Sequence, residues 1–184
     1  GAGTLIAVTA PAQFAMPDLA LHPVTGVLFG WTEAGDDLFT IATGTAVVTI
    51  IASPAGTFGT GLEFDTPGTT LFLSTGGGVQ TIDQVTGAAG PVVPYVLGPG
   101  VPAGGRTTSM TRRSTGAFFA TWHTGSSDPA TLVTIVPATA TVTLVGALTL
   151  AAAPVVIDCI SFFNPPAPPA PPAAPAAGDP PPHG

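Results

Sequence analysis

Three stretches of this sequence can be laid over one another, and that self-similarity limits the fold more than any other feature. Residues 19–51 read LALHPVTGVLFGWTEAGDDLFTIATGTAVVTII, and residues 62–96 read LEFDTPGTTLFLSTGGGVQTIDQVTGAAGPVVPYV. Residues 109–145 read SMTRRSTGAFFATWHTGSSDPATLVTIVPATATVTLV. Each copy holds four pieces. A short strand runs into a polar turn (HPVTG, DTPGT, TRRSTG), and an aromatic-bearing strand follows (VLFGW, TLFLS, AFFAT). A loop leads to a third strand ending in Thr-Ile, at Thr40-Ile41, Thr81-Ile82 and Thr134-Ile135. A second turn (ATGTA, DQVTGAA, VPATA) feeds a fourth strand of Val, Thr, Leu and Ile. The Thr-Ile pairs are spaced by 41 and then 53 residues, and the insertion HTGSSDPA accounts for the longer interval.

Short β-branched runs between turns of Gly, Pro, Asp and Thr are hairpin signals. Threonine, with 28 copies, is the dominant polar residue and favours strands over helices. Four antiparallel strands in roughly 45 residues is the size of a propeller blade. The repeat resembles that of lactonase-like and quinoprotein-like bacterial surface propellers, in which an Asp-Pro-x-Thr-Gly turn precedes an aromatic strand. The resemblance covers residues 3–163 and implies an all-β, propeller-like domain over residues 1–163. It implies three four-stranded antiparallel blades, with Phe29, Phe72 and Phe119 at matching places between sheets. It carries no single function, because such repeats serve enzymes, binders and scaffolds. The third copy departs from the pattern, with TRRSTG in place of the Asp-Pro turn.

The ends fit the same register. GTLIAVTA near the start reads as a fourth strand, and VVIDCISFF near the end as a first strand. This absorbs the one apolar run long enough to suggest a membrane span, residues 144–163, which also holds Pro154 and Asp158 and lacks flanking Lys or Arg. Three blades with one extra strand at each end fall short of a closed ring, which needs at least about four complete blades. Unpaired strand edges are templates for association.

After the blades comes NPPAPPAPPAAPAAGDPPPHG, residues 164–184, ten of them proline. Ala-Pro-Pro repeats favour an extended polyproline II tail rising about 3.1 Å per residue. Docking of such a preordered segment is cheap, so Asn164, Pro165, Pro166, Pro168, Pro169, Pro171, Pro172 and Pro175 are expected to contact another copy. A sugar-bearing stalk is the other reading of the tail. Asn164 precedes proline outside any N-glycosylation sequon, so carbohydrate would be O-linked.

Charge narrows the partners further. Asp and Glu number 10 against three Arg and no Lys, for a formal charge of −7, which makes nucleic acid a poor partner. Charged residues are 7% of the chain, so its surface is solvated by hydroxyl and backbone groups. Arg106, Arg112 and Arg113 form the one positive patch; Arg112 and Arg113 are candidates for docking acidic groups of a neighbouring subunit. The lone Cys159 sits in an apolar run and excludes an internal disulfide.

Few residues carry the spacing of a chemical site. His22, His123 and His183 match no metal spacing, and Asp36–Asp37 lacks the ligand series of a calcium loop. Glu63 and Asp65 flank Phe64 on one strand, a pair able to divide acid and base roles if it faces the central channel. STGGGV connects two strands, so it reads as a hairpin loop and not a phosphate cradle. Trp31 and Trp122 sit at equivalent ends of second strands and read as core or blade-edge packing, with stacking on sugars as the alternative. No nucleophile elbow or Cys/His cluster is present, and no cofactor is expected. The expectation is a non-enzymatic, extracellular structural protein assembling with copies of itself into a filament or surface layer. The alternatives are a ligand-binding or hydrolytic propeller fragment of a longer secreted protein, and a cell-wall glycoprotein with an O-glycosylated stalk.

Overall fold

Turn chemistry punctuates the chain as the repeat requires. A computed structural model describes residues 18–32, 35–52, 59–113, 115–125, 127–155 and 160. In the recurring five-residue turn the first residue accepts backbone bonds and the last takes a left-handed conformation. His22 Nδ1 accepts from the N–H groups of Val24 and Thr25, both at 3.2 Å. Asp83 Oδ1 does the same for Val85 (2.9 Å) and Thr86 (2.7 Å). The closing residues Gly26 and Gly87 both have φ of 69°, which glycine adopts at no steric cost. Alanine fills the same place in ATGTA, with Ala46 at φ 55° and its N–H bonded to Ala42 O at 2.7 Å.

Between these turns three antiparallel sheets form. The first comprises β1 (Asp18–Leu21), β2 (Leu28–Trp31), β3 (Leu38–Ile41) and β4 (Val48–Ala52). The second comprises β5 (Gly59–Phe64), β6 (Leu71–Thr75), β7 (Gly78–Ile82) and β8 (Val93–Pro94). The third comprises β10 (Arg106–Arg112), β11 (Phe118–His123), β12 (Thr131–Val136) and β13 (Thr141–Ala147). β9 (Val96–Leu97) joins the third sheet in parallel beside β13, and β14 (Thr149–Leu150) pairs with β15 (Ala153–Pro154) in a hairpin. No helix occurs among the described residues. The protein is therefore all-β with three four-stranded units.

The fourth strand of the second copy differs from expectation. PVVPYV splits: β8 closes the second sheet with two residues, and β9 pairs with the third. Pro91 and Pro94 lack N–H donors, so this stretch cannot sustain a longer ladder. The expected strands within residues 3–9 and 156–163 lie outside the described residues save for Ile160, and so does the tail with Asn164 and its prolines.

Register confirms that the copies are equivalent. Phe29, Phe72 and Phe119 stand opposite Thr40, Thr81 and Thr134 respectively. Side chains alternate between faces along each strand, so each blade presents one face to its predecessor and one to its successor. Phe29, Trp31 and Leu38 of the first blade pack with Leu62, Phe64, Leu71, Leu73 and Ile82 of the second. Phe72 and Val79 of the second pack with Met110, Phe118, Trp122, Val133 and Ile135 of the third. The edge-to-face pair Phe29–Phe64 (5.3 Å, 73°) recurs as Phe72–Phe118 (5.5 Å, 68°). Phe29 is buried, whereas Phe72 and Phe119 are half-buried. Phe72 borders a cleft of ≈ 180 Å³ shared with Val93, Pro137 and Ala138, and Phe119 lies on the face of the third blade turned away from the second.

Trp31 and Trp122 are both buried but not equivalent. Trp31 pairs with Leu38, and the matching residue opposite Leu132 is Thr121. A one-residue offset therefore sends the two indoles to different interfaces. Trp122 Nε1 donates to Pro102 O at 2.9 Å.

Candidate functional site

The first strands of the blades, β1, β5 and β10, lie against one another, so the sheets fan out from a shared inner edge. Polar groups collect there. Inner-edge strands have ladder partners on one side only, and their other backbone N–H groups need acceptors.

Asp18 supplies one. Its Oδ2 accepts from Leu62 N at 3.1 Å and from Met110 N at 3.0 Å, while Oδ1 accepts from Leu19 N at 2.9 Å. One carboxylate thus joins all three blades. Reaching past β5 requires a gap at Gly61. A Cβ there would stand 2.7 Å from Ser74 Oγ and 3.0 Å from Met110 Cγ. By register Asp18, Gly61 and Ser109 are the same position, opposite Trp31, Ser74 and Thr121. Ser109 repeats the role of Asp18 with a hydroxyl, its Oγ accepting from Ile160 N at 3.3 Å.

Glu63 joins the second blade to the third. Its Oε1 accepts from Phe64 N (2.8 Å) and its Oε2 from Arg112 N (2.9 Å), while the Arg112 guanidinium donates to Asp65 O (2.8 Å). Burial pushes Asp18 up to about 7, opposed by the three N–H groups and reinforced by the nearby charge of Glu63. Burial also raises Glu63, against the Phe64 and Arg112 bonds and the Arg112 charge. Asp18, buried, thus keeps its proton up to about 7, and half-buried Glu63 is shifted in the same direction.

Behind this pair runs a buried seam of hydroxyls between the second and third blades. Thr60 donates to Thr107 O, Ser74 to Gly61 O at 3.3 Å, and Tyr95 to Thr75 O at 3.2 Å. Burial drives the Tyr95 phenol up to about 12, so it stays a donor.

The sequence-selected residues fall as follows. Glu63 belongs to the pair, but its partner is Asp18. Asp65 instead caps the β5–β6 turn, accepting from Thr70 N (3.1 Å) and Thr69 Oγ1 (2.9 Å). Arg112 is committed within the chain, and exposed Arg113 lies 5.5 Å over the Phe119 ring. His22 caps a turn beside Phe64, and buried His123 meets Asp128 O at 3.3 Å. Asp36, at φ 52°, and Asp37 close the β2–β3 turn with Thr32. STGGGV is the β6–β7 hairpin, with Thr75 Oγ1 accepting from Gly77 N and Gly78 N. Cys159 and His183 lie outside the described residues. Among the described residues no helix is long and apolar enough to cross a membrane.

No family model and no curated protein matches the chain. Solved structures do. The chain is similar to a gluconolactonase from Xanthomonas campestris, with TM-score 0.54 and 14% identity over 73% of this chain and 48% of that one. It is similar to a protein assigned to the gluconolactonases, with TM-score 0.53 and 9% identity over 75% and 50%. A third likeness is to the hydrazine synthase of Kuenenia stuttgartiensis, with TM-score 0.51 and 13% identity over 72% and 37%. The fold is propeller-like. The chain spans about half the length of the two gluconolactonase-type proteins it matches. This likeness corrects the expectation that the chain is not an enzyme. Its architecture is shared with gluconolactonases, so the lack of a nucleophile motif in the sequence is no argument against catalysis.

Proposed function

We propose that this chain is part of a hydrolytic β-propeller that opens a small lactone at the inner edge of its blades. The observation that carries the reading is the Asp18–Glu63 pair. A carboxylate poised at about 7 suits proton transfer at neutral pH, where ionised and protonated forms are both populated. Oδ2 of Asp18 is already committed to two N–H groups and Oδ1 to one, which leaves Oδ1 to take a proton from water. The water oxygen attacks the lactone carbonyl, the ring C–O bond breaks, and the proton passes to the departing oxygen, giving a hydroxy acid. Hydroxyl acceptors could serve the N–H groups that Asp18 and Glu63 bind, so a purely structural role does not call for ionisable carboxylates there. The hydroxyl-rich, charge-poor surface suits an extracellular setting.

The test is lactone hydrolysis followed by base uptake at constant pH, with glucono-lactone as the first substrate. Turnover above the spontaneous rate is expected, rising through an inflection near pH 7. Asp18→Asn should lower it at least about 100-fold while the β-type circular dichroism spectrum is kept. A rate equal to background, or an Asp18→Asn variant as fast as the parent, overturns the proposal.

A further inference from the structure

The interface between successive blades occurs twice within this chain, and register allows a comparison position by position. On the receiving side Leu19 matches Leu62 and Met110, and Leu21 matches Phe64. Leu62 and Phe64 are fully covered by the first blade and Met110 is 2% exposed, but Leu19 is 43% and Leu21 54% exposed. The same holds deeper in the sheet. Leu28 and Ile41 match the buried pairs Leu71–Ile82 and Phe118–Ile135 but are themselves half-buried. On the giving side Leu132 matches Leu38 and Val79, which are 0% and 1% exposed. Leu132 is half-buried, and Ile160 reaches its blade at the inner edge, through Ser109. The outer faces of the first and third blades are thus the two halves of an interface the chain already makes twice.

A polar residue would serve a solvent-facing strand better at each of these places, yet the apolar pattern is kept. We propose that a second copy of this chain covers both faces. The third blade of each copy packs on the first blade of the other, closing a ring of six blades. Ring size favours this occupant, because three blades span about half of each gluconolactonase-type chain and two copies complete the circle. The contact is heterologous and occurs twice, related by a half-turn. The central opening is then walled by both copies, so one chain alone holds half of it. With charged residues only 7% of the chain, the interface rests on apolar burial.

Light scattering after size-exclusion chromatography of the full 184-residue chain tests this. The expected mass is twice 18.0 kDa at micromolar concentration, unchanged in about 1 M salt. Leu21→Glu should give the single-chain mass with an unaltered circular dichroism spectrum. Val85→Glu, at a residue 79% exposed on the turn after β7, should stay dimeric. A parent chain of single mass at tens of micromolar, an open-ended polymer, or a dimer indifferent to Leu21→Glu would each overturn ring closure. Mass and catalysis separate cleanly: an inactive dimer refutes only the hydrolytic reading, and an active single chain refutes only the ring.

Discussion

Asp18 makes this protein's stability fall where that of most proteins holds steady. In the folded chain the carboxyl keeps its proton up to about 7, whereas in the unfolded chain it ionises around 3.8. Between those values the unfolded chain has released a proton that the folded chain still holds, so rising pH draws the equilibrium toward unfolding. The gap of about 3 units corresponds to about 4 kcal/mol at 1.36 kcal/mol per unit, a large share of the 5–15 kcal/mol typical of a domain. Glu63, raised for the same reason, adds in the same direction. At about 2–4 °C per kcal/mol for a chain of this size, the melting temperature should drop by on the order of 10 °C from pH 4 to pH 8. Below the ordinary carboxylate range the sign reverses, because Asp65 and Asp83 are held low by turn hydrogen bonds and lose them on protonation. Asp18→Asn keeps an acceptor for Leu62 and Met110 but cannot ionise. Thermal melts from pH 4 to 8 should therefore show a flatter profile for Asp18→Asn and a nearly flat one for Asp18→Asn/Glu63→Gln. A parent melting temperature that climbs through this range, or an Asp18→Asn profile as steep as the parent's, refutes the reasoning.

Other perturbations probe the packing directly. Gly61→Ala places a methyl against Ser74 Oγ and Met110 and should cost about 1–3 kcal/mol in urea unfolding while weakening the Asp18 bridge. Phe118→Ala empties a fully buried site facing Phe72 and should cost about 3–5 kcal/mol by the same measurement. Ala46→Gly relieves a positive φ at a turn position where the second copy has Gly87, and should leave the melting temperature unchanged or raise it, by up to about 1 kcal/mol of stability.

The blades were legible because a hairpin writes its register locally. Phe and Thr recur at one offset in each copy, and pairing sets Phe29 on Thr40, Phe72 on Thr81 and Phe119 on Thr134. Where a single residue decides the outcome, the pattern misleads. The two tryptophans look equivalent by their distance from the strand ends, yet strand pairing separates them by one place and thus by one face. The proline-broken PVVPYV reads as one strand because its valines are right, while its missing donors divide it between two sheets. Asp18 was invisible as a site residue for a different reason. Its partners are Leu62 and Met110, 44 and 92 residues away, and they contribute backbone N–H groups that no side-chain motif records.

That one position explains why the copies must differ. The repeat places Asp18, Gly61 and Ser109 at the same point on three adjacent inner strands. Three carboxylates there would stand within reach of each other in a poorly solvated place, and like charges so placed cannot all ionise. Glycine in the middle removes one side chain and opens the path by which Asp18 reaches the third blade. Serine at the end keeps an acceptor for the following strand without a charge. The scaffold needs only that each inner strand find acceptors for its free N–H groups, and hydroxyls would satisfy that at lower cost than a buried acid. An acid retained at one of three equivalent places, beside Glu63, is thus more than the fold requires. That excess is the physical ground for seeking the chemistry at Asp18 before anywhere else on the molecule.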